Sequence, residues 1–324
     1  MSLLRSKLPD VGTTIFTVIS RRAEELGAVN LGQGFPDYPI DPLLTELVAE
    51  AMRAGLNQYA PMAGVPALME QIALLLRRRH GFDINPQQEI TITLGATEAI
   101  FSAIAALVGP GDEVLVFDPA YDSYDPAVRV AGAQCVHVPL LPPLFRYDWD
   151  RVRAAVTRRT RLVVINSPHN PACTVMSADD LSQLAALAEQ HDLLVLSDEV
   201  YEHIVYSGTQ HHSVLGHPGL RERSLAVYSF GKSMHATGLR VGYCVAPPML
   251  TTELRKVHQF NTFTIATAFQ HALAGYLAAR PNAFDELPQF FAHKRQLLTD
   301  GLAQSAFRVL PAQGTYFTLV DYSR

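Results

Sequence analysis

From residue 89 onward the chain alternates short apolar runs with helical ones, and this alternation constrains the fold more than any other feature. Ile90–Leu94, Glu113–Phe117, Arg161–Asn166, Leu193–Leu196, Ser224–Phe230 and Arg240–Val245 read as strands. Ala99–Val108 and Ala178–Glu189 read as helices between them, and Met249–Phe260, Thr267–Ala279 and Phe284–Leu302 follow. Strands separated by helices need crossovers, and crossovers give a largely parallel sheet with helices on both faces. The expected class is therefore α/β. Further helices are expected around Ile15–Leu26 and over Val65–Arg79, and residues 1–45 are otherwise read as irregular. Two short strand-like runs, Phe307–Leu310 and Thr315–Val320, close the chain.

In an open α/β sheet, ligands collect beyond the carboxyl ends of the strands, so the residues there carry the functional reading. Gly95-Ala96-Thr97-Glu98 follows the first strand and opens a helix. Its small residues expose backbone N–H groups, either as an anion site or as an ordinary turn. Asp118-Pro119-Ala120-Tyr121-Asp122-Ser123-Tyr124 follows the second strand, with two aromatics that can stack on a planar ligand or cap the core. Ser167-Pro168-His169-Asn170-Pro171 ends the next strand. Ser197-Asp198-Glu199-Val200-Tyr201 ends a fully apolar one, where a carboxylate is costly without a cationic partner.

The last of these clusters is Ser229-Phe230-Gly231-Lys232-Ser233, with Arg240 further on in Gly238-Leu239-Arg240. A lysine held this way can form a Schiff base with an aldehyde cofactor, and Ser229 with Arg240 can hold a phosphate. Taken alone, Lys232 reads first as a surface lysine at a strand-to-loop junction.

Other features exclude more than they propose. Gly32 and Gly34 resemble half of a dinucleotide loop, but the third glycine is missing and Phe35-Pro36 follows where a helix should start. Arg77-Arg78-Arg79-His80 is expected to be a solvated helix end, and His203, His211, His212 and His217 a polar surface loop. Three widely spaced cysteines, Cys135, Cys173 and Cys244, suggest neither a disulfide framework nor a zinc site, and no metal is expected. The net charge of −5 gives no electrostatic case for nucleic acid or an anionic membrane. The 324 residues, 48% hydrophobic and 18% charged, suit a globular protein with a large core and a smaller lobe. The N-terminus has no apolar run long enough for a signal peptide, and no stretch approaches a membrane span, so the expected location is cytoplasmic.

Six clusters in order resemble the class I aminotransferases, pyridoxal phosphate (PLP) enzymes of fold type I. They are Gln33-Gly34-Phe35-Pro36-Asp37, Asn57-Gln58-Tyr59-Ala60-Pro61, Gly95-Ala96-Thr97-Glu98-Ala99, His169-Asn170-Pro171, Ser197-Asp198-Glu199-Val200-Tyr201-Glu202-His203 and Ser229-Phe230-Gly231-Lys232. The resemblance covers essentially the whole chain. It is closest to the branch of kynurenine aminotransferases, glutamine transaminase K and methionine aminotransferases. Leu8-Pro9-Asp10-Val11-Gly12-Thr13-Thr14-Ile15-Phe16 and Gly314-Thr315-Tyr316-Phe317 lean towards the last of these. Leu239 departs from it, where relatives often carry tryptophan.

The resemblance implies roles residue by residue. Lys232 would form the Schiff base and then shuttle the substrate Cα proton. Asp198 would pair with the pyridinium nitrogen. Tyr201 and Asn170 would bond the ring's phenolic oxygen, and Tyr121 would stack on the ring. The Ala96 and Thr97 amides, Ser229 and Arg240 would bind the phosphate. Tyr59 would reach the phosphate of a neighbouring subunit, which implies a homodimer with shared active sites. Gly34 would lie near the substrate carboxylate, with Asn170 also on the substrate side. Phe35, Tyr38 and Phe263 are candidates for an apolar side-chain pocket or for core.

The implied domains are an arm at 1–45, a large PLP-binding domain at 46–282 and a partial small α+β domain at 283–324. The family continues beyond the Gly-Thr-Tyr-Phe run with a segment that carries an arginine for the substrate α-carboxylate. Arg324 follows Asp321-Tyr322-Ser323 too closely to take that role. The small domain is therefore expected to be cut short at its C-terminus.

The expected activity is transfer of the α-amino group of an apolar or sulfur-containing amino acid, methionine first, to a 2-oxo acid by a ping-pong route. Kynurenine, glutamine or aromatic donors, cysteine-S-conjugate β-elimination, and a shortened chain that binds PLP with little or no turnover are the alternatives. A cofactor-binding regulator is disfavoured, because no DNA-binding segment is read ahead of Leu8 and the charge is acidic.

Overall fold

The computed structural model describes residues 5–34 and 38–323. Phe35 and Arg324, both weighed above, lie outside the described residues. Seven strands form the main sheet: β1 (Ile90–Thr93), β2 (Glu113–Asp118), β3 (Gln134–Pro139), β4 (Thr160–Asn166), β5 (Leu194–Asp198), β6 (Ser224–Ser229) and β7 (Gly242–Val245). Their order is β1-β7-β6-β5-β4-β2-β3. The run from β3 to β6 is parallel throughout, and β7 lies antiparallel to both β6 and β1. The α/β class and the largely parallel sheet expected from the alternation are what the chain forms.

The central strands are buried along their length, as strands covered on both faces must be. Alternate residues feed two cores. Val163, Ile165, Val195 and Tyr228 face the Pro66–His80 and Ala178–Gln190 helices. Val164, Leu196, Leu225 and Val227 face the Gly95–Leu107, Tyr124–Ala131 and Pro248–Asn261 helices.

Local chemistry sets the helix ends. Pro66 opens the first of these helices, and Gly81 closes it at φ 78°. Ser177 and Asp180 form a capping box at Ala178–Gln190. The Pro42–Arg53 helix begins inside the stretch read as partly irregular, with Asp41 as its cap and Pro42 in its first turn. The helix after β1 starts at Gly95 rather than Ala99, because the small residues read as a turn already belong to its first turn.

At the C-terminal end, among the described residues, Arg308–Val309 (β8) and Val320–Asp321 (β9) pair, antiparallel. The residues between them dock elsewhere. Thr315 N–H donates to the Ile204 carbonyl at 2.8 Å, and Gly314 bridges to Val205. Among the described residues no helix is long and apolar enough to cross a membrane.

Two expectations of solvated charge are corrected. Arg77, Arg78 and Arg79 are exposed as expected, but the helix end is also tied inward: an Arg79 guanidinium nitrogen donates to the Glu202 carbonyl at 2.6 Å, and His80 Nε2 lies 2.6 Å from Glu202 Oε2. His203 and His211 are buried rather than on a surface loop. His211 Nε2 lies 3.2 Å from Glu199 Oε2, and His203 Nε2 lies 3.4 Å from Glu202 Oε1. The reason is common to both corrections. Glu199 and Glu202 are buried, and buried carboxylates require cationic or hydrogen-bonding partners. Burial alone would raise both carboxyls, but these neighbours hold them below the usual range.

Gly242 is where β7 meets the turn after β1. A Cβ there would lie 2.7 Å from the Gly95 carbonyl carbon and the Tyr228 oxygen, and 2.8 Å from the Ala96 nitrogen. Backbone cannot yield as a side chain can. Gly242→Ala is expected to cost about 1–3 kcal/mol, read as a lower urea midpoint, and an unchanged midpoint would contradict this packing.

Candidate active site

The carboxyl ends of β2, β4, β5 and β6 open on one side of the sheet, and a cavity of about 810 Å³ lies there. Tyr121, Asn170, Tyr201, Lys232 and Arg240 line it, together with Gly34 and Phe317. The strands set these positions. β6 runs directly into the Phe230–Ser233 helical turn that carries Lys232. β5 ends at Asp198, three residues before Tyr201.

Asp198 is buried, and its Oδ2 accepts a 2.7 Å hydrogen bond from the Tyr124 hydroxyl. Its carbonyl accepts from Asn166 Nδ2 at 2.8 Å and from Ser167 N–H at 3.1 Å. Burial pushes the carboxyl up to about 6, against the pull of the Tyr124 bond, the Val200 N–H and the Lys232 charge. Burial likewise lowers Lys232, which Asp198 partly offsets. Lys232 Nζ lies 5.7 Å from the centre of the Tyr201 ring and 5.9 Å from that of Tyr316. Among the described residues no hydrogen bond or ion pair holds this amine.

Arg240 takes a left-handed backbone, φ 54°, and reaches across to the turn after β1. A Cβ on Gly95 would lie 2.9 Å from a guanidinium nitrogen of Arg240, and Gly95 itself sits at φ 68°. Only glycine meets both conditions. This places a cation beside the first turn of the Gly95–Leu107 helix, where Ala96 and Thr97 present N–H groups at the positive end of the dipole. Ser229 is buried at the start of the Lys232 turn. Tyr121 packs edge-on to Tyr124 at 5.6 Å, and burial raises its hydroxyl. Asn170 N–H donates to Asn166 Oδ1 at 2.6 Å, which pins its loop to the end of β4.

Not every expected residue enters this cavity. Tyr59 is 84% exposed and packs edge-on to Phe263 at 5.4 Å, away from Lys232. Tyr38 sits against His235 and Phe290.

Other residues had no assigned role. Tyr316 and Phe317 stack edge-on against Tyr201 at 5.3 and 5.5 Å, and the Tyr316 hydroxyl donates to the Gly34 carbonyl at 3.0 Å. They lie in the Gly314-Thr315-Tyr316-Phe317 run, which was read only as a branch marker. Thr17 and Arg21, from the Ile15–Glu25 helix, close the cavity from the other side. Tyr124 was read only as one of two aromatics, although it supplies the hydrogen bond to Asp198.

The cavity suits a planar cationic heterocycle that carries an aldehyde and a phosphate. It offers a half-buried amine, an aromatic wall and an arginine beside helix N–H groups, with a buried carboxylate that has no cation bonded to it acting on the amine. The fold and this donor set define a pyridoxal phosphate enzyme of fold type I. Residues 27–324 match the family "Aminotransferase class I and II", and the chain belongs to that family.

The methionine aminotransferase of Escherichia coli K12 is 50% identical over 319 residues, covering 98% of this chain and 83% of its own length. A probable N-succinyldiaminopimelate aminotransferase of Mycobacterium tuberculosis is 40% identical, covering 98% of this chain and 80% of its own length. A solved Escherichia coli structure with methionine aminotransferase function superposes with a TM-score of 0.97 at 50% identity, covering 99% of this chain and 84% of that one.

The Asp198 carboxyl protonates near 6 in the folded chain, against an ordinary value of 3.8. The folded, cofactor-free state therefore binds the extra proton between these values. Its stability is highest on this account below about pH 4 and falls as pH rises through 6. The loss reaches at most about 3 kcal/mol. Asp198→Asn should remove that slope, so the cofactor-free variant gains on the parent in urea midpoint from pH 4 to 7. A difference that stays constant across this range would contradict the assignment.

Proposed function

We propose that the chain is a PLP-dependent aminotransferase that moves the α-amino group of methionine, or of a similar apolar or sulfur-containing amino acid, to a 2-oxo acid. The observation that supports this is that Lys232 and Arg240 line one cavity while the buried Asp198 carboxylate acts on Lys232. When bound, the cofactor supplies an electron sink for the pair released as the substrate Cα–H bond breaks.

The chain's own residues do the rest. Lys232 would take the proton from the substrate Cα and deliver it to the carbon that was the cofactor's aldehyde, and its burial-lowered basicity favours the neutral amine this needs. Asp198 would pair with the pyridinium N–H, a cation that would offset the cost of its burial. Tyr124, by donating to Asp198, keeps the carboxylate oriented. Tyr201 and Asn170 would bond the phenolic oxygen, and Tyr121 would cover the ring. The Ala96 and Thr97 amides, Ser229 and Arg240 would bind the phosphate. Gly34 and Asn170 border the substrate, and Phe317 and Phe16 give its side chain an apolar wall.

The reading includes a homodimer, with Tyr59 reaching the second subunit's phosphate. Its 84% exposure and that of Phe260, at 90%, support a surface that a second copy covers. The free cysteines fit a reducing, cytoplasmic setting.

Methionine preference rests on the Escherichia coli relative. It is tested by the half-reaction that converts the cofactor to its amine form, followed by absorbance with a panel of methionine, kynurenine, glutamine, aspartate and N-succinyldiaminopimelate. Methionine is expected among the fastest donors. Methionine among the slowest, with another donor converting well, would overturn the preference. Lys232→Ala should lower turnover by at least about 100-fold while leaving the unfolding midpoint of the chain near that of the parent.

A further inference from the structure

Outside the cavity, Asp125, Cys135 and His137 place a carboxylate, a thiol and an imidazole together. One donor atom from each lies within 4.8 Å of the others. The topology brings this about. Cys135 and His137 are two apart on the edge strand β3, so both project from the same face. The Tyr124–Ala131 helix covers that face, and Asp125 sits in its first turn. β2 pairs with β3 in parallel and ends at Asp118, on the same side.

His137 is oriented as a ligand would be. Its Nδ1 lies 3.0 Å from Asp118 Oδ1, and its Nε2 lies 3.7 Å from Asp125 Oδ1. With Nδ1–H donated to Asp118, the Nε2 lone pair is directed at Asp125. A carboxylate that holds the far nitrogen is the usual support of a metal-bound histidine. The local field favours a cation too. The Asp118 and Asp125 carboxylates flank the imidazole on either side. Arg129 is the cation already present. It donates to Asp125 Oδ2 at 3.3 Å and also pairs with Asp10, so it keeps a partner if Asp125 turns away.

We infer that Asp125, Cys135 and His137 form a binding site for one divalent transition-metal ion of the zinc class, with Asp118 as the orienting carboxylate. A thiolate with an imidazole and one carboxylate suits borderline-soft ions and not magnesium or calcium. Three protein donors leave a fourth position for water. His137 is partly exposed, which gives the ion a way in. Donors around a tetrahedral zinc lie about 3.4–3.8 Å apart, so the set closes by small side-chain rotations. Binding sends the Cys135 thiol proton to solvent and joins the sulfur to the metal, with no change of oxidation state. The spacing of 125, 135 and 137 carries no recognisable zinc pattern, because the donors come from a helix and a strand. The ion would also tie together the two ends of the segment 118–125, which carries Tyr121 and Tyr124.

The test is equilibrium dialysis of the cofactor-loaded protein against zinc, with bound metal measured by atomic emission. The parent should hold about one equivalent more than either His137→Ala or Cys135→Ser. Zinc held at the cofactor phosphate adds equally to all three and cancels. Equal zinc in the parent and both variants overturns the site, as does none in the parent. A second reading needs no variant: zinc should slow alkylation of Cys135 at least about tenfold, mapped by peptide mass spectrometry. An unchanged rate at zinc concentrations that saturate dialysis overturns the thiolate ligand.

Discussion

Asp198 is a carboxylate with 4% of its surface exposed, at the end of the central strand β5, and the cavity is arranged around the cost of burying it. Its side chain takes a hydrogen bond from Tyr124 of the helix after β2, and its carbonyl takes two from the end of β4. One residue thus fixes the relation of two strands and a helix. None of these donors is a cation, and the charge that acts on it most is that of Lys232. The carboxyl is consequently held up near 6, a state that a bound cationic heterocycle would reverse. Perturbed groups of this kind gather at functional sites.

The segment after Asp198 serves two sides of the sheet. Tyr201 lines the cavity, and the Asp198 side chain turns to the Tyr124 hydroxyl. Glu199 and Glu202 turn into the opposite core, where His211, His80, Arg79 and the Tyr228 hydroxyl receive them. These buried pairs lock the Pro66–His80 helix and the histidine-bearing loop to the strand end. Thr315 N–H bonds the Ile204 carbonyl, which brings Tyr316 and Phe317 over Tyr201. The aromatic lining of the cavity is therefore set by backbone pairing some 110 residues away in sequence.

The sheet was legible because its central strands are continuous apolar runs, and the strand-end residues were legible because polar groups are conspicuous there. Lys232, Tyr201, Asn170, Tyr121 and Arg240 line one cavity, and Asp198 lies buried where the charge of Lys232 acts on it. The edge strand β3 was not legible, since its half-exposed residues carry no strong pattern. Tyr124 was ambiguous because an aromatic that caps a core and one that donates a hydrogen bond look alike in sequence. His80, His203 and His211 were read as solvated because nothing local reveals that Glu199 and Glu202 point into the core. Tyr59 is a different case: its proposed partner belongs to a second chain, so no single chain can show it in place.

The central claim is that Lys232 holds the cofactor aldehyde. Borohydride reduction of the cofactor-loaded protein, followed by peptide mass mapping, tests it most directly. The account predicts a single phosphopyridoxyl adduct on Lys232 in the peptide that contains Ser229 and Ser233. An adduct distributed over Lys256, Lys294 and other surface lysines, with Lys232 unmodified, would contradict it.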